Sequence, residues 1–374
     1  MKTRAAVLYE MNLKSPYKIS QPLKIEELEL DGPGRDEVLV QIKAAGLCHS
    51  DLSVINGSRP RVIPMALGHE AAGIIVELGE GVSDFKVGDH VVCTFVPSCG
   101  HCVPCSEGRP ALCEPGAKAN TAGTLLSGSH HLHKGNQIIH HHLGVSGFSE
   151  YAVVSQNSLV KVDPEVPLSE VAIFGCAVIT GVGAVVNTAK IAPGSTVAVV
   201  GLGGIGLCAV LGAVLAGARQ IIAVDINPKK LSMAGGLGAT DTYDAKDPDV
   251  VRIIREHTNG GVDYAFETAG AVAAMQTAYA ITRRGGMTIT TGLPHPEAKF
   301  SFPQVTLAAE ERTIKGSYLG SCVPARDIPR YINLYKQGRL PVNKLLKDQL
   351  RLEDINYGFD LLAEGETARL VVII

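Results

Sequence analysis

The 374-residue sequence contains no Trp, and aromatic residues make up only 5% of it. Charge is sparse as well, at 19%, and neither sign dominates: 34 Lys and Arg stand against 37 Asp and Glu. No broad basic surface follows from that balance, so nucleic acid is excluded as an expected partner, and nothing calls for an anionic membrane. A secretory signal is also missing. Lys2 and Arg4 supply early positive charge, but the apolar run stops at Glu10, short of a secretory core. These absences lead us to expect a cytoplasmic protein, with no internal repeat and no membrane partner.

What is present in quantity is apolar side chain, at 46%, and glycine, at 41 residues. That balance suits a compact α/β protein with many tight turns, and the length allows two domains with separate cores. One stretch, residues 191–218, carries no charge and by length alone would pass as a membrane span. Glycines at 201, 203, 204 and 206 divide it into a short buried strand and a helix, which is the reading adopted.

Short β-like runs separated by Gly, Pro and Asp fill the first 150 residues, for example 38–42, 72–77 and 90–93, and predict a twisted or barrel-like β domain. From about residue 195 the pattern changes. Strand candidates at 197–200, 220–224, 262–267 and 287–291 alternate with helical stretches at 205–216, 229–235, 250–257 and 271–282. Such alternation predicts a doubly wound parallel sheet covered on both faces. After residue 320 the alternation fades, and 370–374 reads as a strand that could return to the first domain. The polar, His-rich stretch 117–143 carries His130, His131, His133, His140, His141 and His142. A metal site is one reading of such a tract; a surface excursion with neutral imidazoles is the one we adopt.

Nine cysteines in a chain without an export signal suggest metal binding rather than a disulfide framework. Cys99-x2-Cys102-x2-Cys105-x7-Cys113 is the most specific local pattern. Four thiolates on a short loop close tetrahedrally around a structural zinc, leaving no open position. The first three also match ferredoxin-type spacing, but the long final gap and the lack of a proline directly after Cys113 weigh against an iron–sulfur cluster. Three further candidate ligands are scattered: Cys48 in Gly46-Leu-Cys-His-Ser-Asp51, His69 in Gly68-His-Glu70, and Cys176 in Gly175-Cys-Ala. Spacing alone does not bring them together.

Gly201-Leu-Gly203-Gly204-Ile-Gly206 follows a predicted strand and opens a predicted helix, with Asp225 ending the next strand. In that context the pattern reads as a Rossmann dinucleotide turn. Gly201 allows the turn, Gly203 admits the pyrophosphate, and Gly206 permits close helix–strand packing. Asp225 would accept hydrogen bonds from ribose hydroxyls and repel a 2′-phosphate, which favours NAD over NADP.

Taken together, these motifs resemble the zinc-containing medium-chain alcohol dehydrogenases, in order, from Cys48 to Arg369. The resemblance implies a β-rich GroES-like catalytic domain over 1–178 and 320–374 and an NAD-binding Rossmann domain over 179–319. It implies two zinc ions per chain: a catalytic one on Cys48, His69 and Cys176, and a structural one on the four-cysteine loop. Asp51 would orient His69, and Glu70 would sit beside the metal. Lys230 resembles a ribose-contacting lysine, Arg369 and His49 match positions that touch the pyrophosphate, and Thr180 matches a residue packed on the nicotinamide. Ser50 would take the substrate hydroxyl proton.

Two departures from the family pattern bear on chemistry. Ser53 stands where the best-known branch has a relay histidine, so His49 or water ends the relay. Ala117 stands where the glutathione-dependent branch has an arginine. Loop length resembles the dimeric alcohol dehydrogenases, in which Phe95 and His142 would line the pocket of a primary alcohol or aldehyde substrate. A polyol, a secondary alcohol or a hydroxymethyl-thiol adduct is the alternative substrate. A non-catalytic binding protein on the same fold is the alternative class.

Overall fold

The computed structural model describes residues 1–365 and 367–374, with the side chain of Lys347 also left aside. It divides into two compact units. The first takes Met1–Cys176, Val323–Lys336 and Leu346–Ile374, and the second takes Ala177–Cys322 and Gln337–Leu345. The stretch 337–345 thus groups with the second unit rather than with the rest of 320–374.

The first unit is β-rich. Strands Lys2–Leu8, Leu23–Leu30, Leu132–Lys134, Gln137–His141 and Met65–Ala66 close into a small barrel. A second, seven-stranded sheet has Glu37–Gly46 at its centre, paired with Glu70–Leu78, Tyr151–Ser155 and the C-terminal strand Arg369–Ile373. The alternation that marks these strands in sequence is visible as burial, with Val38, Val40 and Ile42 inside an apolar cluster that also takes Leu47, Phe148 and Phe359. The C-terminal strand does return to this unit.

The His-rich stretch corrects an expectation. It is not a surface excursion: 114–122 is helical, and 132–134 and 137–141 complete the barrel. His131, His141 and His142 are buried. Period-2 patterning was hidden because histidine occupies inward positions normally held by aliphatic residues. The expectation of neutral imidazoles agrees with the burial: it depresses the basicity of His130, His140, His141 and His142, with His141 down to about 3.

A buried carboxylate anchors this barrel. Glu37 is 2% exposed and accepts from Ser127 Oγ at 2.6 Å, Ser129 Oγ at 2.7 Å and the Gly34 N–H at 2.8 Å. His131 Nε2 lies 2.7 Å from it. Burial works against the charged form, but these four donors outweigh it and hold the Glu37 carboxyl down at about 2.

The second unit carries a six-stranded parallel sheet. Taking its strands in chain order, from Thr196–Val200 to Thr313–Gly316, their order across the sheet is 3-2-1-4-5-6. This is the doubly wound arrangement, with the order reversing beside the strand Thr196–Val200. All five residues of that strand are buried, as an apolar run covered on both faces requires. The uncharged stretch 191–218 resolves into this strand and the helix Gly204–Leu215. Among the described residues no single helix is long and apolar enough to cross a membrane.

Candidate metal and dinucleotide sites

Neighbouring strand ends of the first unit's sheet build the first site. Gly46 lies opposite Glu70 in the central strand pair and opposite Val371 in the C-terminal pair. Leu47 N then donates to Leu370 O at 3.0 Å, fixing the chain just before Cys48. A side chain at 46 would place its Cβ 2.8 Å from Glu70 Oε2, so glycine is what lets these ends close up. Cys176 arrives from another direction, after the short helical turn Ala172–Gly175. A Cβ at Gly175 would sit 2.0 Å from Cys93 O, so this turn too needs glycine to reach the sheet.

Cys48, His69, Glu70 and Cys176 converge there, each offering one ligand atom, all within 4.8 Å of one another and all buried. In tetrahedral zinc, ligand atoms about 2.0–2.3 Å from the ion lie roughly 3–4 Å apart, so the spacing and the S, S, N donor set fit that metal. The two sulfurs divide a proton unequally. Hydrogen bonding with Cys176 comes first in holding Cys48 below the ordinary thiol range, with His69 and Arg369 assisting, while the same contact and burial push Cys176 up.

Asp51 organises the wall behind His69. It comes from the first turn of the helix His49–Ile55 and is fully buried. Its Oδ2 lies 3.0 Å from His69 Nδ1, its Oδ1 lies 3.0 Å from His142 Nδ1, and Oδ1 also accepts the Gly68 N–H at 3.1 Å. Burial opposes the ionised form, yet the two imidazoles hold the Asp51 carboxyl below its ordinary value.

Phe95 and His142 flank His69 edge-on, with ring centroids at 5.4 and 5.6 Å. Ser50 is half-buried and His49 exposed on the same helix. Ser53 Oγ donates to His49 O at 2.8 Å, which commits its proton to the backbone. Glu70 is paired with Arg369, whose Nη1 donates to Glu70 Oε1 at 2.9 Å and to Leu47 O at 3.0 Å. Burial nevertheless lifts the Glu70 carboxyl to about 8 against that pull. Sequence reasoning missed the Glu70–Arg369 pair, because strand register alone joins positions so far apart in the chain. It also missed that His142 leans on Asp51.

Cys99, Cys102, Cys105 and Cys113 form the second cluster, with their sulfurs within 4.8 Å of one another. Backbone N–H groups of Cys99 and Gly116 point at Cys113 Sγ (3.2 and 3.4 Å), and Cys102 N points at Cys99 Sγ at 3.3 Å. Donors aimed at sulfur favour thiolates, the form that binds metal. All nine cysteines are free of disulfides.

In the second unit, Gly201 has φ +94°, a left-handed conformation that suits glycine. A Cβ at Gly206 would lie 1.9 Å from Gly201 O, whereas one at Gly203 would meet open space. Turn, packing and open approach thus fall on the three glycines in the order a bound pyrophosphate requires, at the N-terminus of Gly204–Leu215. Asp225 ends the neighbouring strand, accepting Leu202 N at 2.6 Å and Asn227 N at 2.9 Å. Lys230 is half-buried two residues into the next helix. Thr180 is buried on Ala177–Gly183, where Gly181 packs closely on the Gly204–Leu215 helix.

Residues 34–167 match the alcohol dehydrogenase GroES-like domain family, and residues 204–337 match the zinc-binding dehydrogenase family. An S-(hydroxymethyl)glutathione dehydrogenase of Synechocystis sp. is 38% identical, with all of both chains covered. The chain belongs to the zinc-containing medium-chain alcohol dehydrogenases. Among solved structures, the benzyl alcohol dehydrogenase of Acinetobacter calcoaceticus superposes with a TM-score of 0.93 at 33% identity, covering 100% of this chain and 99% of that one. An alcohol dehydrogenase zinc-binding domain protein of Burkholderia ambifaria gives 0.94 at 36%, with the same coverage. This family member is therefore an oxidoreductase of the zinc, nicotinamide-using class, with the GroES-like and doubly wound architecture its sequence resembles.

Proposed function

We propose that this chain is an NAD-dependent dehydrogenase for primary alcohols and their aldehydes, with one catalytic and one structural zinc ion. The observation that carries the proposal is the buried convergence of Cys48, His69 and Cys176 beside Asp51. Two thiolates and an imidazole leave a bound Zn²⁺ neutral overall yet still Lewis-acidic, which lowers the pKa of an alcohol hydroxyl placed on it. Bound NAD supplies the hydride acceptor.

The rest is work for the chain's own side chains. Ser50 accepts the substrate hydroxyl proton, and exposed His49 carries it to water, because Ser53 is committed to a backbone carbonyl. Asp51 holds the His69 ring in place. Arg369 neutralises Glu70 when the latter is ionised, so this carboxylate is available beside the metal without a standing uncompensated charge. Phe95 and His142 shape the substrate side next to His69.

On the dinucleotide, the helix N-terminus after Gly203 takes the pyrophosphate. Asp225 and Lys230 take the adenosine ribose, and Thr180 orients the nicotinamide ring. The four-cysteine loop holds the structural ion. Loop length resembles the dimeric branch, so the reading makes the protein a homodimer, which light scattering measures. An alcohol panel followed by NADH absorbance tests the activity: primary alcohols should be oxidised, and inactivity on every alcohol and aldehyde would refute it.

A second reading, a hydroxymethyl-thiol adduct as substrate, draws on the Synechocystis relative. Ala117 weakens it, since the arginine that branch carries there is missing.

A further inference from the structure

The strand Val262–Glu267 ends on an acid that is only 2% exposed. Register sets Glu267 beside Val200 on one side and Thr290 on the other. Its two carboxylate oxygens are divided between different loops. Oε1 accepts the Gly270 N–H at 2.6 Å, and Oε2 accepts the Thr290 hydroxyl at 2.7 Å. The Glu267 carbonyl is engaged as well, by Thr291 N at 2.9 Å and Gly292 N at 3.3 Å. A carboxylate taken this far out of water is costly unless its oxygens are bonded, and here both are.

The loops it joins stand against the glycine turn. In a sheet of this strand order the ligand crevice opens where the order reverses, between Thr196–Val200 and Val262–Glu267. Gly201 to Gly203 follow the first of these strands, and residues 268–270 follow the second. The two are in contact: Thr268 N donates to Val200 O at 2.9 Å, and Thr268 Oγ1 donates to Gly201 O. A Cβ at Gly201 would lie 2.7 Å from Ala269 N, and one at Gly206 would lie 2.7 Å from Thr268 Oγ1. On the other side, a Cβ at Gly292 would lie 2.3 Å from Gly270 N and 2.5 Å from Glu267 Oε2. The turn, 268–270 and 290–292 are thus packed edge to edge, and the Glu267 side chain is bonded to both outer loops. Ala269 is exposed on that wall, which leaves it open to a ligand.

We propose that Glu267 is a positioning residue for the coenzyme: it fixes 268–270 and 290–292 against the glycine turn and so sets the wall on which the dinucleotide lies, acting through those loops. The inference rests on the reading of Gly201, Gly203 and Gly206 as the coenzyme turn. A glutamine can reproduce both contacts, with its carbonyl oxygen facing the Gly270 N–H and its NH₂ facing the Thr290 hydroxyl, which accepts as well as donates. An alanine leaves the Gly270 N–H without its acceptor.

The test titrates zinc-loaded protein with NADH, followed by the coenzyme's own fluorescence in a chain that has no Trp, and adds initial rates at varied NAD. Glu267→Ala should weaken NADH about tenfold or more, as the loss of hydrogen bonds to a carboxylate implies. KM for NAD should rise by a similar factor while kcat at saturating NAD and zinc content hold. Glu267→Gln should recover most of the lost affinity. Thr290→Val removes only the Oε2 contact and decides the matter if Glu267→Ala does not fold: it should weaken NADH by about threefold to tenfold, and Thr290→Ser should bind more tightly than it does. A purely structural role would lower thermal stability and leave NADH affinity and KM for NAD at their native values. Native NADH affinity in Glu267→Ala or, where that variant does not fold, in Thr290→Val overturns the proposal. A native chain that binds no NADH overturns the coenzyme reading and the proposal with it, an outcome distinct from equal binding by native chain and variants.

Discussion

Replacing Asp225 with glycine tests the dinucleotide assignment at the atom that discriminates between coenzymes. The carboxylate spends one lone pair on Leu202 N at 2.6 Å and one on Asn227 N at 2.9 Å. An ionised carboxylate accepts about four hydrogen bonds, so roughly two positions remain for the ribose hydroxyls of NAD. Each hydrogen bond to a charged group contributes about 1.5–3 kcal/mol, so losing even one should weaken NAD about 10- to 150-fold. For NADP the change has the opposite sign. A 2′-phosphate about 4 Å from a carboxylate meets a repulsion of up to roughly 4 kcal/mol at an effective dielectric of 20, and glycine removes it.

Asp225→Gly should therefore lower the NAD/NADP ratio of kcat/KM by at least about thirtyfold, a figure set by the lower half of those ranges. Initial rates with each coenzyme measure the ratio, and fluorescence titration with NADH and NADPH separates binding from chemistry. Asp225→Asn is the informative companion. It keeps one acceptor but turns an NH₂ toward a backbone N–H, so it should lose NAD affinity without the full gain for NADP. An unchanged ratio in Asp225→Gly would refute the reasoning.

Two further outcomes follow from buried groups in the first unit. Lowering Glu37 from 4.5 to about 2 corresponds to about 3 kcal/mol of stability at about 1.4 kcal/mol per unit. Because the folded value is the depressed one, that stability is fully present above pH 4.5 and drains away as pH falls toward 2. Denaturant midpoints from pH 6 down to 3 should converge for the native chain and Glu37→Gln; parallel curves would contradict the assignment, since zinc-ligand protonation is common to both and cancels. In the cysteine loop, Cys113→Ser removes the sulfur that two backbone N–H groups address. Zinc should fall from two to one per chain by mass spectrometry, and protease cleavage near residue 105 should accelerate; two retained zinc ions would count against a structural site.

The sequence was most readable where local rules act alone. The four-cysteine spacing, the glycine turn and the alternation after residue 195 each need only neighbours along the chain, and the strand 262–267 and the helix 250–257 fall where periodicity places them. The first metal cluster was a different matter. Nothing local joins Cys48, His69 and Cys176; register around Gly46 and a close approach at Gly175 do so, and only family resemblance foretold it. The histidine stretch misled for a physical reason. Imidazoles read as polar in sequence, yet His131, His141 and His142 are buried because Glu37, a neighbouring ring and Asp51 respectively meet them inside.

The central claim is that Cys48, His69 and Cys176 hold the zinc at which alcohol is oxidised. The most direct measurement is zinc per chain together with NADH formation from a primary alcohol, in the native chain and in Cys176→Ser. The account predicts two zinc ions and NADH production in the native chain, and one zinc ion with no NADH production in the variant, its fold intact. Two zinc ions or undiminished turnover in Cys176→Ser would contradict it.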